Sequence, residues 1–309
     1  MLVLTGMERQ MTADFKDALS AQIPDLEVAV GPVEDRPERV EFMLSWAPRA
    51  EEVARYPNLR FICSGGAGVD GILRVPDLPP ELPIVRLVDE ILTQRMTHYV
   101  VHAVLHHHRQ TNHYEGAQLR AHWAPLDPRA IKASRVGILG LGALGSDAAE
   151  KLLALEFSVA GWTRRPKTFP GVTCHHGRDG LGAFLAGTDI LICLLPLTSD
   201  TRGLVDANLL DRLPRGAYLI NPARGGLVDD DAVLAALDSG QLSGAALDVF
   251  NEEPLPPDHP YWSHPGVAIT PHMASRTHAR SAVPQLAENV RRARAGQALL
   301  NQIDREAGY

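Results

Sequence analysis

The run Arg135-Val136-Gly137-Ile138-Leu139 leads straight into Gly140-Leu141-Gly142-Ala143-Leu144-Gly145, and Ser146-Asp147-Ala148-Ala149-Glu150 continues in a helical pattern. A bare Gly-x-Gly-x-x-Gly is weak information. Placed between a strand and a helix, it restricts the chain to a βαβ unit of a parallel sheet. Gly140 permits the tight turn, Gly142 lets a pyrophosphate approach bare backbone, and Gly145 lets the helix lie close on the strand. The N–H groups of the first helical turn then face the phosphates. The segment therefore reads as the phosphate-binding turn of a Rossmann dinucleotide domain.

The remaining pattern agrees with that class. After the glycine loop, strand-like runs recur at 157–161, 190–195, 217–220, 245–249 and 267–270, with helical segments such as 147–155 and 229–239 between them. Six or seven strands with helical crossovers predict a doubly wound sheet. Before the loop, apolar runs at 2–4, 28–30, 42–44 and 61–63 alternate with helical spacing at 13–21 and 50–56. They predict a second, smaller parallel-sheet domain. A stretch free of glycine and proline from 95 to about 116 reads as one long helix leading into the second unit. The tail 276–295 reads as a helix that Pro284 bends or breaks. A chain of 309 residues suits two domains. Because the small-domain strands precede the glycine loop and a helix follows the last Rossmann strand, the expected layout is discontinuous. Residues 1–94 and 277–309 form the substrate domain, and 95–276 form the inserted dinucleotide-binding domain.

Cofactor type is read from the end of the second Rossmann strand, where an acidic residue normally binds the adenosine ribose. Here the turn is Thr163-Arg164-Arg165-Pro166-Lys167, with no carboxylate. Two guanidinium groups and an amine suit a 2′-phosphate, so NADP is favoured, with NAD possible.

Three later segments each put a chemically useful side chain just beyond a strand: Asn221-Pro222-Ala223-Arg224-Gly225, Asp248-Val249-Phe250-Asn251-Glu252-Glu253-Pro254 and Thr270-Pro271-His272. Strand ends of an open parallel sheet line the ligand crevice. Reduction of a 2-oxo acid needs a cation for the carboxylate and the polarised carbonyl, which Arg224 can supply. It also needs an acid for the nascent alkoxide, which His272 can supply near neutral pH. Glu253 is the carboxylate chosen to favour the imidazolium. Alone, each of these residues would read as a surface charge or a satisfied polar group; in ordered succession after three strands they read as a site.

These three blocks resemble the signatures of the D-isomer-specific 2-hydroxyacid dehydrogenases, and the similarity runs from about Trp46 to the C-terminus. The resemblance implies two doubly wound α/β domains, the Rossmann domain being inserted into a smaller flavodoxin-like one. It implies an arginine that orients substrate, a glutamate that pairs with histidine and an acid/base histidine at Arg224, Glu253 and His272. The cofactor site it implies runs over Gly140, Gly142, Ala143, Leu144 and Gly145, then Thr163, Arg164 and Arg165. It continues through Leu195, Pro196 and Thr201, then Pro222, Ala223, Arg224, Asp248, His272 and Ser275. Asp248 matches the aspartate that contacts the nicotinamide carboxamide. Ser64-Gly65-Gly66-Ala67-Gly68-Val69-Asp70 resembles the loop whose amides hold the substrate carboxylate, which implicates Ala67 and Gly68; Trp46 matches a position near the substrate pocket. Thr97-His98-Tyr99-Val100, Pro271-His272-Met273-Ala274-Ser275 and the C-terminal residues point within the family toward the glyoxylate/hydroxypyruvate reductases. The implied activity is NADPH-preferring reduction of a small 2-oxo acid by a homodimer. Glu156, Thr163 and Ser275 depart from the family's usual glycine, aspartate and glycine. Alternatives are a family member of different substrate or NAD preference, and a cofactor-sensing binding protein on the same fold.

Other function classes receive little support. The net charge of -7 disfavours nucleic acid or an anionic membrane as partner. No cationic segment precedes an apolar run near Met1, and the longest apolar run, 190–195, is too short for a bilayer. Cys63, Cys174 and Cys193 have no metal-ligand spacing, and a cytoplasmic setting is expected. His98, His102 and His106 share a helical face but lack a third and fourth ligand nearby, so no metal is expected.

Overall fold

Short strands, with helices between most of them, pair in parallel throughout the protein, whose computed structural model describes residues 1–309. The chain divides into two units: Met1–Leu92 with Arg276–Tyr309, and Thr93–Ser275.

In the first unit, β1 (Leu2–Thr5), β2 (Val28–Val30), β3 (Phe42–Ser45), β4 (Phe61–Ser64) and β5 (Ile84–Val85) form a parallel sheet of order β2-β1-β3-β4-β5. That is the flavodoxin-like order. Strands β1, β3 and β4 are buried at every residue, as a sheet covered on both faces requires. Alternation sends Leu2, Leu4, Phe42, Leu44 and Phe61 to the face packed by α1 (Arg9–Gln22) and the C-terminal helix Ala279–Arg294. Val3, Met43 and Ile62 face Val53 of α2 (Ala50–Ala54) and Ile72 of α3 (Asp70–Leu73). The C-terminal helix runs on through Pro284, so of the bend or break expected there the break does not occur. Proline costs a helix roughly 3 kcal/mol; here the helix buries Ala282, Val283, Leu286, Ala287 and Val290, and that apolar stripe holds it together.

The helix α4 (Glu90–His108) begins in the first unit and ends in the second. The expected helix over 95–116 is two: α4 stops at His108, Gln110 takes a left-handed φ of 56°, and α5 (Thr111–Leu119) follows. The end of α4 is anchored where the chain must turn. His107 stacks on Tyr218 with ring centroids 4.2 Å apart, and His108 Nδ1 lies 3.0 Å from Ser134 Oγ. Burial and the Arg129 charge depress His107 to about 3, so it packs as a neutral ring.

Beyond α5 lie β6 (Arg135–Leu139), α6 (Ala143–Ala154), β7 (Ser158–Thr163), β8 (Thr173–His176), α7 (Gly177–Ala186) and β9 (Ile190–Cys193). They are followed by α8 (Ala207–Asp211), β10 (Ala217–Asn221), α9 (Asp230–Asp238), β11 (Leu242–Leu247) and β12 (Val267–Ile269). The seven strands form a parallel sheet of order β12-β11-β10-β9-β6-β7-β8. Chain order reverses between β6 and β9, which is the switch point where such sheets bind ligands. No helix is long and apolar enough to cross a membrane.

Candidate active site

The glycine loop leaves β6 at that switch point, and each glycine has a separate physical reason. Gly140 adopts φ 100°, and a Cβ there would lie 2.7 Å from the Leu194 carbonyl oxygen. A Cβ on Gly145 would come within 1.9 Å of Gly140 O, so only glycine allows α6 to start this close to β6. Nothing lies within 4 Å of a Cβ built on Gly142, which is exposed. Gly142 is the N-cap of α6 and no side chain caps the helix. The open space and uncapped amides around Gly142, Ala143 and Leu144 fit a bound phosphate.

The turn after β7 has no carboxylate at the ribose position. The Thr163 hydroxyl donates to Arg165 O at 2.7 Å, and Arg164 and Arg165 are exposed, with Arg164 3.9 Å from Asp200. Lys167, grouped with the arginines by sequence, reaches elsewhere: its amine donates to Leu141 O and lies 3.3 Å from Ser146 Oγ, over the glycine loop. On the neighbouring loop after β9, Thr201 Oγ1 donates to Pro196 O (2.6 Å) and accepts from Thr198 N–H (2.8 Å), closing the 196–201 turn. Leu195 packs beside Gly140.

Three consecutive strand ends, those of β10, β11 and β12, carry Arg224, Glu253 and His272. Asn221, not singled out by sequence, shapes the first turn: its amide donates to Arg224 O (2.9 Å), and its Oδ1 accepts from Ala223 N–H (3.2 Å). Asparagine at a strand end is a turn signal that could have found it. A Cβ on Gly225 would sit 1.9 Å from the Phe250 carbonyl carbon, so the Arg224 turn packs directly on the β11 loop. There the Phe250 N–H donates to Glu253 Oε1 at 2.9 Å, and His272 Nδ1 meets Glu253 Oε2 at 2.7 Å. Burial alone would raise the Glu253 carboxyl. The hydrogen bonds from His272 and Phe250 and the charges of His272 and Arg224 outweigh it, holding Glu253 below its ordinary value.

Asp248 is fully buried. Its Oδ1 accepts from the Thr270 hydroxyl (2.5 Å) and Met273 N–H (2.8 Å), and its Oδ2 from Ala274 N–H (2.8 Å). Burial raises its carboxyl despite these donors. Ser275 is half-buried at the end of this turn. In the first unit, Ser64 Oγ donates to Gly68 O (2.5 Å) and accepts from Gly66 N–H (3.3 Å), shaping the loop after β4. Ala67 and Gly68 stand half-open between buried neighbours. The Trp46 indole lies flat against this loop: a Cβ on Gly66 would come within 2.6 Å of it. His102 and His106 have ring centroids 5.8 Å apart, and His106 faces Glu115 at 3.6 Å.

A family model described as D-isomer specific 2-hydroxyacid dehydrogenase, NAD binding domain, matches residues 101–274. A D-isomer specific 2-hydroxyacid dehydrogenase from Xanthobacter autotrophicus Py2, solved with NADPH and MES, is 45% identical with a TM-score of 0.96, covering 100% of this chain and 99% of that one. An NADPH-dependent glyoxylate/hydroxypyruvate reductase from Sinorhizobium meliloti, solved with NADP and sulfate, is 37% identical with a TM-score of 0.92, covering 100% and 99%. A probable 2-hydroxyacid dehydrogenase from Rhizobium etli CFN 42, solved with NADP, HEPES and L(+)-tartaric acid, is 38% identical with a TM-score of 0.92, covering 100% and 98%. With a family model over more than half its length and full-length relatives above 30% identity, the chain belongs to the D-isomer specific 2-hydroxyacid dehydrogenase family.

Proposed function

We propose that the protein reduces a small 2-oxo acid, glyoxylate or hydroxypyruvate, to the 2-hydroxy acid with NADPH as the preferred reductant. The observation that carries this reading is the His272–Glu253 pair at 2.7 Å, on a strand end adjoining the Arg224 turn. When bound, NADPH supplies the hydride that reaches the carbonyl carbon. Arg224 holds the substrate carboxylate and polarises the carbonyl. A carboxylate only accepts, so protonated His272 donates its Nδ1–H to Glu253, and Nε2–H remains to protonate the forming alkoxide.

The cofactor is held by the residues of the glycine loop, by Leu195, Pro196 and Thr201, and by the Pro222-Ala223-Arg224 turn. Asp248 Oδ2, which accepts one hydrogen bond within the chain, keeps an acceptor position for a carboxamide N–H. Arg164 and Arg165 hold the 2′-phosphate beside Thr163. The Sinorhizobium relative, an NADPH-dependent glyoxylate/hydroxypyruvate reductase by name, supports the choice of substrate and cofactor. We also assign a homodimer formed through the long-helix region, where Leu119, the last residue of α5, is 89% exposed and Trp123, just beyond it, 94%.

Steady-state kinetics with glyoxylate, hydroxypyruvate, pyruvate and phenylpyruvate, each with NADPH and NADH, test the reading. The two small polar substrates are expected to give the highest kcat/KM, and NADPH to exceed NADH. Arg164→Ala and Arg165→Ala each lower kcat/KM with NADPH by about tenfold or more, the size of a charge-assisted hydrogen bond, and leave NADH nearly unchanged. A wild-type preference for NADH, or equal losses with both cofactors, contradicts the assignment.

A further inference from the structure

His272 takes a left-handed φ of 51°, a region that strains a residue with a side chain. The turn that keeps it there closes almost entirely on Asp248. The His272 amide donates to Asp248 O at 2.7 Å, and the next two amides, of Met273 and Ala274, donate to the two carboxylate oxygens at 2.8 Å each. The remaining donor to Asp248 Oδ1 is the Thr270 hydroxyl at 2.5 Å. An ionised carboxylate cannot donate, so the single hydroxyl proton of Thr270 is committed to Asp248. Thr270 Oγ1 is then free to accept, and the Tyr99 hydroxyl lies 3.1 Å from it.

Tyr99 sits on α4, far from β11 and β12 in sequence. Its ring packs against the apolar cluster of the seven-stranded unit, a role that phenylalanine would fill equally well. The hydroxyl has no such packing reason. We propose that Tyr99 is a positioning residue for His272: its hydroxyl donates to Thr270, fixes that hydroxyl on Asp248, and so holds the carboxylate that pins the strained turn carrying the histidine. The proposal rests on the reading of His272 as proton donor. Tyr99 acts through Thr270 and Asp248 and is not itself a catalytic residue.

The test is a double-mutant cycle on the full-length enzyme, with NADPH and glyoxylate as probes and thermal midpoints measured alongside. Tyr99→Phe is expected to lower kcat about 3- to 10-fold, the scale of one neutral hydrogen bond, with both KM values changed less than about twofold. In a His272→Ala background the same change lowers the residual kcat no further, because the chain then has no acid to position. Thr270→Val behaves like Tyr99→Phe or worse, and Thr270→Ser turns over faster than Thr270→Val. This pair carries the test if Tyr99→Phe does not fold.

Full turnover in Tyr99→Phe, an undiminished loss in the His272→Ala background, or equal rates for Thr270→Ser and Thr270→Val overturn the proposal. Normal turnover in His272→Ala alone overturns the reading of His272 and the proposal with it. A slow His272→Ala beside a normal Tyr99→Phe overturns only the proposal.

Discussion

The Glu253 carboxyl is held below its ordinary value, because the His272 and Phe250 N–H bonds and the nearby positive charges outweigh its partial burial. A carboxyl held below its unfolded value contributes stability above that value and loses it as pH falls through the depressed one. The pair is therefore intact from the ordinary carboxylate range upward. In the reductive direction the donor is the imidazolium paired with Glu253. Glu253→Gln removes the charge that favours imidazolium, and the high-pH limb of kcat/KM is expected to move to lower pH. An unmoved limb would show that Glu253 does not serve His272. Arg224→Ala should cost about 100- to 1000-fold in turnover, as removal of an oxyanion donor does. His272→Ala should cost about 100- to 10,000-fold, the range for general acid catalysis. Near-normal turnover in either would remove that residue from its role. Arg224, Glu253 and His272 could be singled out in the sequence because each follows a strand. The Asn221 turn is local and left a signal in the sequence, whereas the Thr270 and Tyr99 contacts could not be read there, since each depends on a tertiary geometry that no local spacing records.

At the scale of elements, the glycine loop yields a contrast between fold and ligand. Gly145→Ala places a methyl 1.9 Å from Gly140 O and must push α6 off β6. It should lower the thermal midpoint and also weaken NADPH binding. Gly142→Ala meets no atom within 4 Å, so the fold should be nearly unaffected while NADPH binds much more weakly. Thermal melts with and without NADPH separate the two, and equal behaviour would contradict the roles given to these glycines. The same loop shows why some elements are legible. β6 is a clean apolar run ended by glycine, and its bounds are those read from sequence. By contrast β5 has two residues and β8, Thr173–His176, is a half-exposed edge strand without an apolar run, so neither left a pattern. Nor does sequence spacing reveal that His107 and His108 are anchored, which is what ends α4 before α5. Pro284 misleads in the other direction, because tertiary burial overrides a local preference.

At the scale of the whole molecule, parallel sheets of five and seven strands account for the fold class expected from alternating strands and helices. Leu119 and Trp123, close together in sequence, are both largely exposed apolar side chains that a second copy of the chain would cover. Sedimentation at micromolar concentration should give the mass of two chains, and Trp123→Asp should shift the protein toward the single chain. A wild-type monomer would contradict the dimer. Directed reduction of a 2-oxo acid by the three strand ends fixes the configuration of the product, which chiral analysis reads. Hydroxypyruvate incubated with NADPH and the wild-type protein should give D-glycerate in step with NADPH consumption, and His272→Ala should give almost none. Absence of glycerate, formation of the L isomer, or undiminished turnover by His272→Ala would contradict it.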